Sequence, residues 1–210
     1  MPKLRVHMLA MSLDGYAAGP NQSVENPLGE RDEDLHEFFM QTTRFGGPGG
    51  PEADERSVAE GEENIGATIM GRNMFGPVRG EWGDSSWKGW WGPEPPYHHP
   101  VFVLTHHPHD PIDMEGGTTF HFVTDGIEPA LEQAFAAAGG KDVRLGGGPG
   151  TIRQYVQAGL VDEMSLVIVP LLFGAGEKLL EPIGDAVHAF DVAEMESSPS
   201  KVTHVKLVRR

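Results

Sequence analysis

Apolar and polar residues alternate along positions 3–11, with Leu4, Val6, Met8 and Ala10 on one side and Arg5 and His7 opposite. A period of two predicts a strand with one buried face, and this one runs into the turn residues Ser12-Leu13-Asp14-Gly15. Residues 31–43 switch to a helical period, with Leu35, Phe38 and Phe39 one turn apart; 53–65 predict a second, mostly polar helix. Between them GGPGGPEADE reads as a mobile loop. Ala67 to Met70 predicts a short strand closed by Gly71, and Val101–Thr105 and 118–123 predict two more. Leu131, Ala134, Phe135 and Ala138 follow the i, i+3, i+4, i+7 rule, so a helix is expected over 128–138, stopped by Gly139-Gly140. Then come a strand at 142–145, a glycine loop at 146–150, a helix at 151–158 and a near-continuous apolar strand at 163–169. Positions 187–195 and 201–208 alternate around Ser197-Ser198-Pro199-Ser200 and predict a closing antiparallel hairpin. Strands alternating with helices imply an α/β sheet covered on both faces, and the hairpin makes that sheet mixed. No internal repeat or clear domain boundary interrupts the chain.

The segment Val143 to Tyr155 carries the most chemistry. A strand runs into Gly146-Gly147-Gly148-Pro149-Gly150, and a helix follows directly at Thr151. Glycines permit positive φ and leave no Cβ in a ligand's way, while the first helical turn offers free N–H groups and partial positive charge. Such a bend suits a phosphate or diphosphate. Read plainly, it is also only a tight strand-to-helix turn. It is not the G-x-G-x-x-G of a dinucleotide fold, and no Lys-Ser/Thr follows to make a Walker loop. Two other strand ends carry donors: Gly71-Arg72-Asn73 after Met70, and Thr105-His106-His107. Arg72 suits bidentate phosphate contact; its structural alternative is a surface ion pair. Three such ends side by side would line one groove long enough for a dinucleotide.

Charge narrows the partners. The 210 residues hold 31 acidic and 16 basic side chains, a formal charge of −15. That balance disfavours nucleic acid and anionic membrane surfaces. With no cysteine, disulfides, thiolate metal sites and cysteine nucleophiles are excluded together. No apolar run reaches the ~18 residues of a membrane span, and the alternating N-terminus does not read as a signal peptide, so a cytoplasmic protein is expected. The histidines at 98–99 and 106–109 lack the spacing of a metal site, and no metal is expected. Residues 76–100 contain all four tryptophans, at 82, 87, 90 and 91, among repeated Gly and Pro. They read as a long ordered loop, either a hydrophobic plug or a stacking wall for a planar ring, with Trp90 and Trp91 as candidate substrate contacts.

Five motifs occur in order: Met11 to Gly15 (MSLDG), Ile69 to Phe75 (IMGRNMF), Val101 to His107 (VFVLTHH), Gly146 to Thr151 (GGGPGT) and Gly159 to Glu163 (GLVDE). Together they resemble the reductase domain of riboflavin biosynthesis proteins, within the dihydrofolate-reductase-like superfamily, over roughly residues 3–208. The resemblance implies a three-layer α/β/α fold, NADPH as hydride donor, and commonly a homodimer. It places Gly147, Gly148, Gly150 and Thr151 at the diphosphate. Gly71, Arg72, Asn73, Thr105 and His106 fall at the adenosine end, near the 2′-phosphate. Ser12, Leu13 and Asp14 border nicotinamide and substrate. The family reaction reduces the ribosyl group of a pyrimidine intermediate to ribityl. The deaminase domain of bifunctional members is not present in this chain, so reduction of a related small heterocyclic or carbonyl substrate is equally open. A cofactor-binding module or redox sensor without turnover is the alternative. Asp14 is the acid/base candidate, with a raised pKa expected if water is excluded; otherwise Asp14-Gly15 is simply a favoured turn pair.

Overall fold

A computed structural model describes every residue except Arg31, residues 77–79, Asp84 and Ser85, and the side chains of Asp32 and Glu33. One nine-stranded sheet organises the chain. Its strands are β1 (Leu4–Ser12), β3 (Ile65–Gly71), β4 (Pro100–Leu104), β5 (Ile112–Asp113), β6 (Thr119–Val123), β7 (Asp142–Gly147), β8 (Glu163–Val169), β10 (Phe190–Ser197) and β11 (Thr203–Arg209). The spatial order is β10-β11-β8-β1-β7-β3-β4-β6-β5. The six strands from β8 to β6 run parallel, and β5 and the β10–β11 hairpin are antiparallel. Two short strands, β2 (Tyr16–Ala18) and β9 (Glu177–Lys178), pair separately. The helices are α1 (Asp32–Gln41), α2 (Glu52–Glu62), a single turn α3 (Arg72–Phe75), α4 (Ile127–Ala137) and α5 (Pro149–Gln157).

The central strand β1 departs from its own pattern in an instructive way. Leu4 and Val6 pack in a core with Ala130, Ala134 and Ala138 of the α4 segment and Ile152 and Tyr155 of α5. Met8 and Ala10 pack instead with Leu35 and Phe38 of α1 and Val58 of α2. The four residues of one predicted face therefore serve two cores. A bulge between Val6 and Leu9, with Met8 at φ 48°, inserts the odd residue that reverses the alternation. Both faces of β1 are thus covered, as a parallel sheet requires. Burying each large side chain fully, as at Leu4, Leu145 and Ile152, contributes about 1.5–3 kcal/mol.

Alanines at one-turn spacing let α4 approach the sheet closely, and the Tyr155 hydroxyl ties α5 to the Ile127 carbonyl at 2.8 Å. A third core lies under the tryptophan-bearing segment, where Met70, Phe75, Val101, Val103 and Phe120 are buried. The described residues of 76–99 contain no helix or strand, as expected; residues 77–79, 84 and 85 of that loop lie outside the described residues. The glycine-rich loop before α2 was expected to be mobile. In the structure Glu55 organises it, accepting from the Gly50 and Thr43 amides at 2.8 and 2.9 Å and from the Thr43 hydroxyl at 2.8 Å. Among the described residues no helix is long and apolar enough to cross a membrane.

Candidate active site

Strands β1, β7, β3 and β4 are consecutive neighbours and point the same way. Their carboxyl ends release, side by side, the segments 12–14, 147–151, 71–73 and 105–106. At ~4.8 Å between strands, this edge is roughly 14 Å long. The carboxyl edge of an open parallel sheet is where such folds hold ligands. The three donor-bearing ends read from the sequence are therefore contiguous, and the β1 turn adjoins them.

The glycine bend is built by close approach. Gly147 has φ 130°, a conformation L side chains rarely adopt, and a cis peptide bond joins it to Gly148. A Cβ on Gly71 would lie 2.3 Å from the Thr151 hydroxyl, so the end of β3 is pressed against the first turn of α5. A Cβ on Gly148 would meet nothing within 4 Å. The bend is open there, and a ligand can reach its backbone. Fewer amides are free than the motif suggests. Pro149 has no N–H, and the Thr151 and Ile152 amides donate to the Gly148 carbonyl at 3.0 and 3.2 Å. Gly150 is the first-turn residue whose amide has no acceptor within the helix. Thr151 thus contributes its packing under Gly71 more than its amide.

A cation supplements that turn. The Arg153 guanidinium lies 3.6 Å from where a Cβ of Gly150 would be, and it donates to the Lys178 carbonyl. Arg153 was not singled out from the sequence, although an arginine three residues beyond Gly150 in an N-terminal helical turn was a readable signal. Arg72 sits at the next strand end. No carboxylate pairs with it among the described residues; its guanidinium carbon lies 3.5 Å from the Trp82 ring centre, and its Nε is buried without a partner. Among the described residues, then, Arg72 is held by an aromatic face and a backbone carbonyl, not by an ion pair. Burial holds its pKa below the ordinary arginine range, and the group still stays cationic. Asn73 donates to the Gln22 side chain at 2.9 Å. Thr105 is buried and its hydroxyl accepts from the His107 amide at 3.1 Å, which shapes the turn and leaves His106 exposed.

The β1 turn is more constrained than expected. The Asp14 carboxylate accepts from the Ser12 hydroxyl at 2.6 Å and from the Phe173 and Gly174 amides at 3.0 and 2.7 Å. These donors, the hydroxyl foremost, hold its pKa down to about 2. This corrects the expected upward shift: hydrogen bonds to the charged form outweigh what desolvation would do. A carboxylate held at that value is ionised at neutral pH in this structure. Its evident work is to tie the turn to the loop after β8. Ser12 is 0% exposed, so its side chain cannot touch a substrate, and that expectation is corrected too. Leu13 is 61% exposed on the same turn, as a substrate contact requires.

The tryptophans divide. Trp91 stacks on Phe120 at 5.9 Å and meets Tyr97 edge-on at 5.1 Å, and Trp90 meets Trp87 edge-on at 4.6 Å. Both belong to the β6 side of the sheet, which β7, β3 and β4 separate from β1. Trp91 thus packs in the third core as a plug would, Trp90 rests on Trp87, and neither is brought to Ser12, Leu13 and Asp14. A cavity of about 470 Å³ lies among Trp87, Lys88, Gly89, Gly92, Asp113 and Glu115, on that outer flank and outside the groove. The histidines are engaged singly: His98 Nδ1 with the Gly116 carbonyl at 2.8 Å, His99 Nε2 with the Thr68 hydroxyl at 2.8 Å, and His107 Nδ1 with Glu81 at 3.1 Å. Burial lowers the His99 pKa to about 4. Among the described residues no group of three His, Asp or Glu side chains is placed to hold a metal.

A mixed sheet with helices on both faces and an open glycine bend at its carboxyl edge gives the chain a dihydrofolate-reductase-like fold. A family model described as the RibD C-terminal domain matches residues 2–204, and the chain belongs to that family. No curated protein matches the sequence. Among solved structures, one described as a candidate riboflavin biosynthesis protein from Shewanella sp. PV-4 is similar, with a TM-score of 0.67 at 23% identity over 99% of both chains. A pyrimidine reductase-like protein from Corynebacterium diphtheriae gives 0.56 at 16% identity, covering 100% of this chain and 92% of that one. Dihydrofolate reductase from Enterococcus faecalis, solved in complex with NADP(H), gives 0.54 at 14% identity over 99% and 96%. At these identities the likeness is one of fold.

Proposed function

We propose that this protein is an NADPH-dependent reductase of riboflavin-biosynthesis type, acting on a small heterocyclic or carbonyl substrate. One observation carries the reading: in a chain of charge −15, Arg72 and Arg153, which have no carboxylate partner among the described residues, flank an open glycine bend. A diphosphate fits beside Gly148 and Gly150 with Arg153, and a 2′-phosphate fits Arg72, with Gly71, Asn73, Thr105 and His106 framing the adenosine end. The coenzyme, when bound, supplies hydride chemistry. The protein's share is to bind and orient the reactants. Local donors must act at short range, because the repulsive far field is screened beyond ~8–10 Å. Leu13 would border the reacting groups. Asp14 would serve as a fixed anion that sets the turn, and the proton that accompanies the hydride would come from solvent.

A second reading is a NADP(H)-binding module or redox sensor without turnover. It is favoured by one observation, the ionised Asp14, which leaves the turn without the acid expected of it. Stopped-flow oxidation of NADPH across a panel of pyrimidine, pterin and carbonyl substrates separates the two. Binding with no oxidation by any of them supports the module, and absence of binding sinks both. A homodimer belongs to the proposal as well. Strand β10 is a sheet edge with Val192 and Met195 exposed at 63% and 70%, and sedimentation equilibrium tests it.

A further inference from the structure

Arg72 is the first residue after β3, and one aromatic side chain determines where its charge sits. Its guanidinium carbon lies 3.5 Å from the Trp82 ring centre. Its hydrogen bond to the Gly76 carbonyl is long, at 3.4 Å, and its Nε is buried without a partner. Trp82 in turn is clamped from several sides. The indole N–H donates to the His107 carbonyl at 3.0 Å. Phe75, Phe122 and His109 meet the ring edge-on at 6.0, 5.0 and 4.8 Å. The indole therefore bridges the loop after β4 to the cation after β3.

An indole face attracts a guanidinium without neutralising it. A carboxylate partner would consume the planar fork that recognises phosphate. In a chain with 31 acidic side chains, keeping an arginine unpaired requires something else to hold it. Glu81, adjacent in sequence and 89% exposed at its side chain, is an acid that a released Arg72 could collapse onto.

We propose that Trp82 is a positioning residue for Arg72, and that this stack sets the preference for a coenzyme bearing a phosphate monoester over the same coenzyme without it. The inference rests on the nucleotide groove proposed above and goes further, giving one residue of the tryptophan-bearing segment a task in selectivity. Trp87 lies nearby, its indole N–H donating to the Phe75 carbonyl, but the ring that stacks on the guanidinium is that of Trp82.

The test is calorimetric titration of the full chain with NADPH and with NADH, comparing Trp82→Leu, Trp82→Phe, Arg72→Ala and the Arg72→Ala/Trp82→Leu double variant. Trp82→Leu is expected to weaken NADPH ~10-fold and NADH less than ~2-fold. Trp82→Phe, which restores an aromatic face, should recover most of the NADPH affinity. The double variant should bind NADPH no worse than Arg72→Ala alone, because the two residues act as one unit. If Arg72→Ala lowers the NADPH preference while Trp82→Leu, Trp82→Phe and the wild type share the same preference, the positioning role is wrong and the groove stands. If Arg72→Ala itself leaves the preference unchanged, the groove reading falls and this proposal with it. A Trp82→Leu protein that fails to fold leaves Trp82→Phe to decide: an NADPH affinity lost in step with NADH would overturn the proposal.

Discussion

The two ends of the parallel strands treat arginine in opposite ways. At the amino edge, Arg5 of β1 meets Asp142 at 3.3 Å and Glu163 at 3.6 Å and also donates to the Glu60 and Glu63 carbonyls at 3.0 Å. Arg144 of β7 meets Glu62 at 2.9 Å. At the carboxyl edge, Arg72 lies on an indole and Arg153 on a backbone carbonyl. Acids outnumber bases nearly two to one in this chain, so a paired arginine is the ordinary outcome. On the proposed reading, Arg72 and Arg153 are where this edge keeps positive charge for an external anion. One edge is a structural clasp, and the other is the proposed binding edge.

Breaking the clasp should have the largest effect on the fold and none on selectivity. Arg5 and its two carboxylates are each only 12–16% exposed at their side chains. Arg5→Ala leaves Asp142 without its cation, while Glu163 keeps Lys3, and is expected to cost about 2–3 kcal/mol, a fall in Tm of roughly 5–10 °C. The NADPH-to-NADH preference should not move. Differential scanning calorimetry with coenzyme titration checks both halves, and a shifted preference would blur the distinction between the edges.

Arg72→Ala should do the reverse. Loss of charge-assisted bonds to a 2′-phosphate predicts NADPH binding ~10–30-fold weaker, with NADH nearly unchanged and Tm within a degree or two. Equal losses for both coenzymes would remove the 2′-phosphate assignment. Gly148→Ala sharpens the comparison at the bend. Its added methyl projects into open space, so stability should hold while NADPH and NADH both weaken, by about 5-fold each, since the diphosphate is common to them. Gly71→Ala is the matched control: its methyl would strike Thr151 and should destabilise the fold.

The smallest effect concerns pH. Because the folded pKa of Asp14 is about 2, below its ordinary 3.8, its contribution to stability is present above the ordinary value and is lost as pH falls toward 2. Carboxyl-carbon NMR of Asp14 should show no titration between pH 5 and 9. Any ionisation that limits turnover in that range should persist in Asp14→Asn. A limb that vanishes in that variant would restore Asp14 as the acid.

Much of the architecture was legible because period and punctuation are local. The strands at 101–105 and 163–169, the α4 helix and the closing hairpin lie within a few residues of where alternation and Gly/Pro stops place them. Short pieces escaped. The strands β2, β5 and β9 have two or three residues each and exist only because a partner is near. The β1 bulge escaped for a similar reason, since Met8 is as apolar as Val6 and nothing local says that it faces the other core. Within the site, glycines and Arg72 were readable as residue types. The partners that define them were not: Asp14 meets Phe173 and Gly174, 159 and 160 positions away.

The order of strands and helices, the family and the glycine bend follow from the amino-acid sequence alone, because hydrophobic period, turn chemistry and motif spacing are properties of neighbouring residues. Which charges are neutralised, which amides remain free and which tryptophan stacks on Arg72 were decided only by the fold. Those depend on what distant segments bring within hydrogen-bond or stacking distance, and solvation and pairing are set by that proximity.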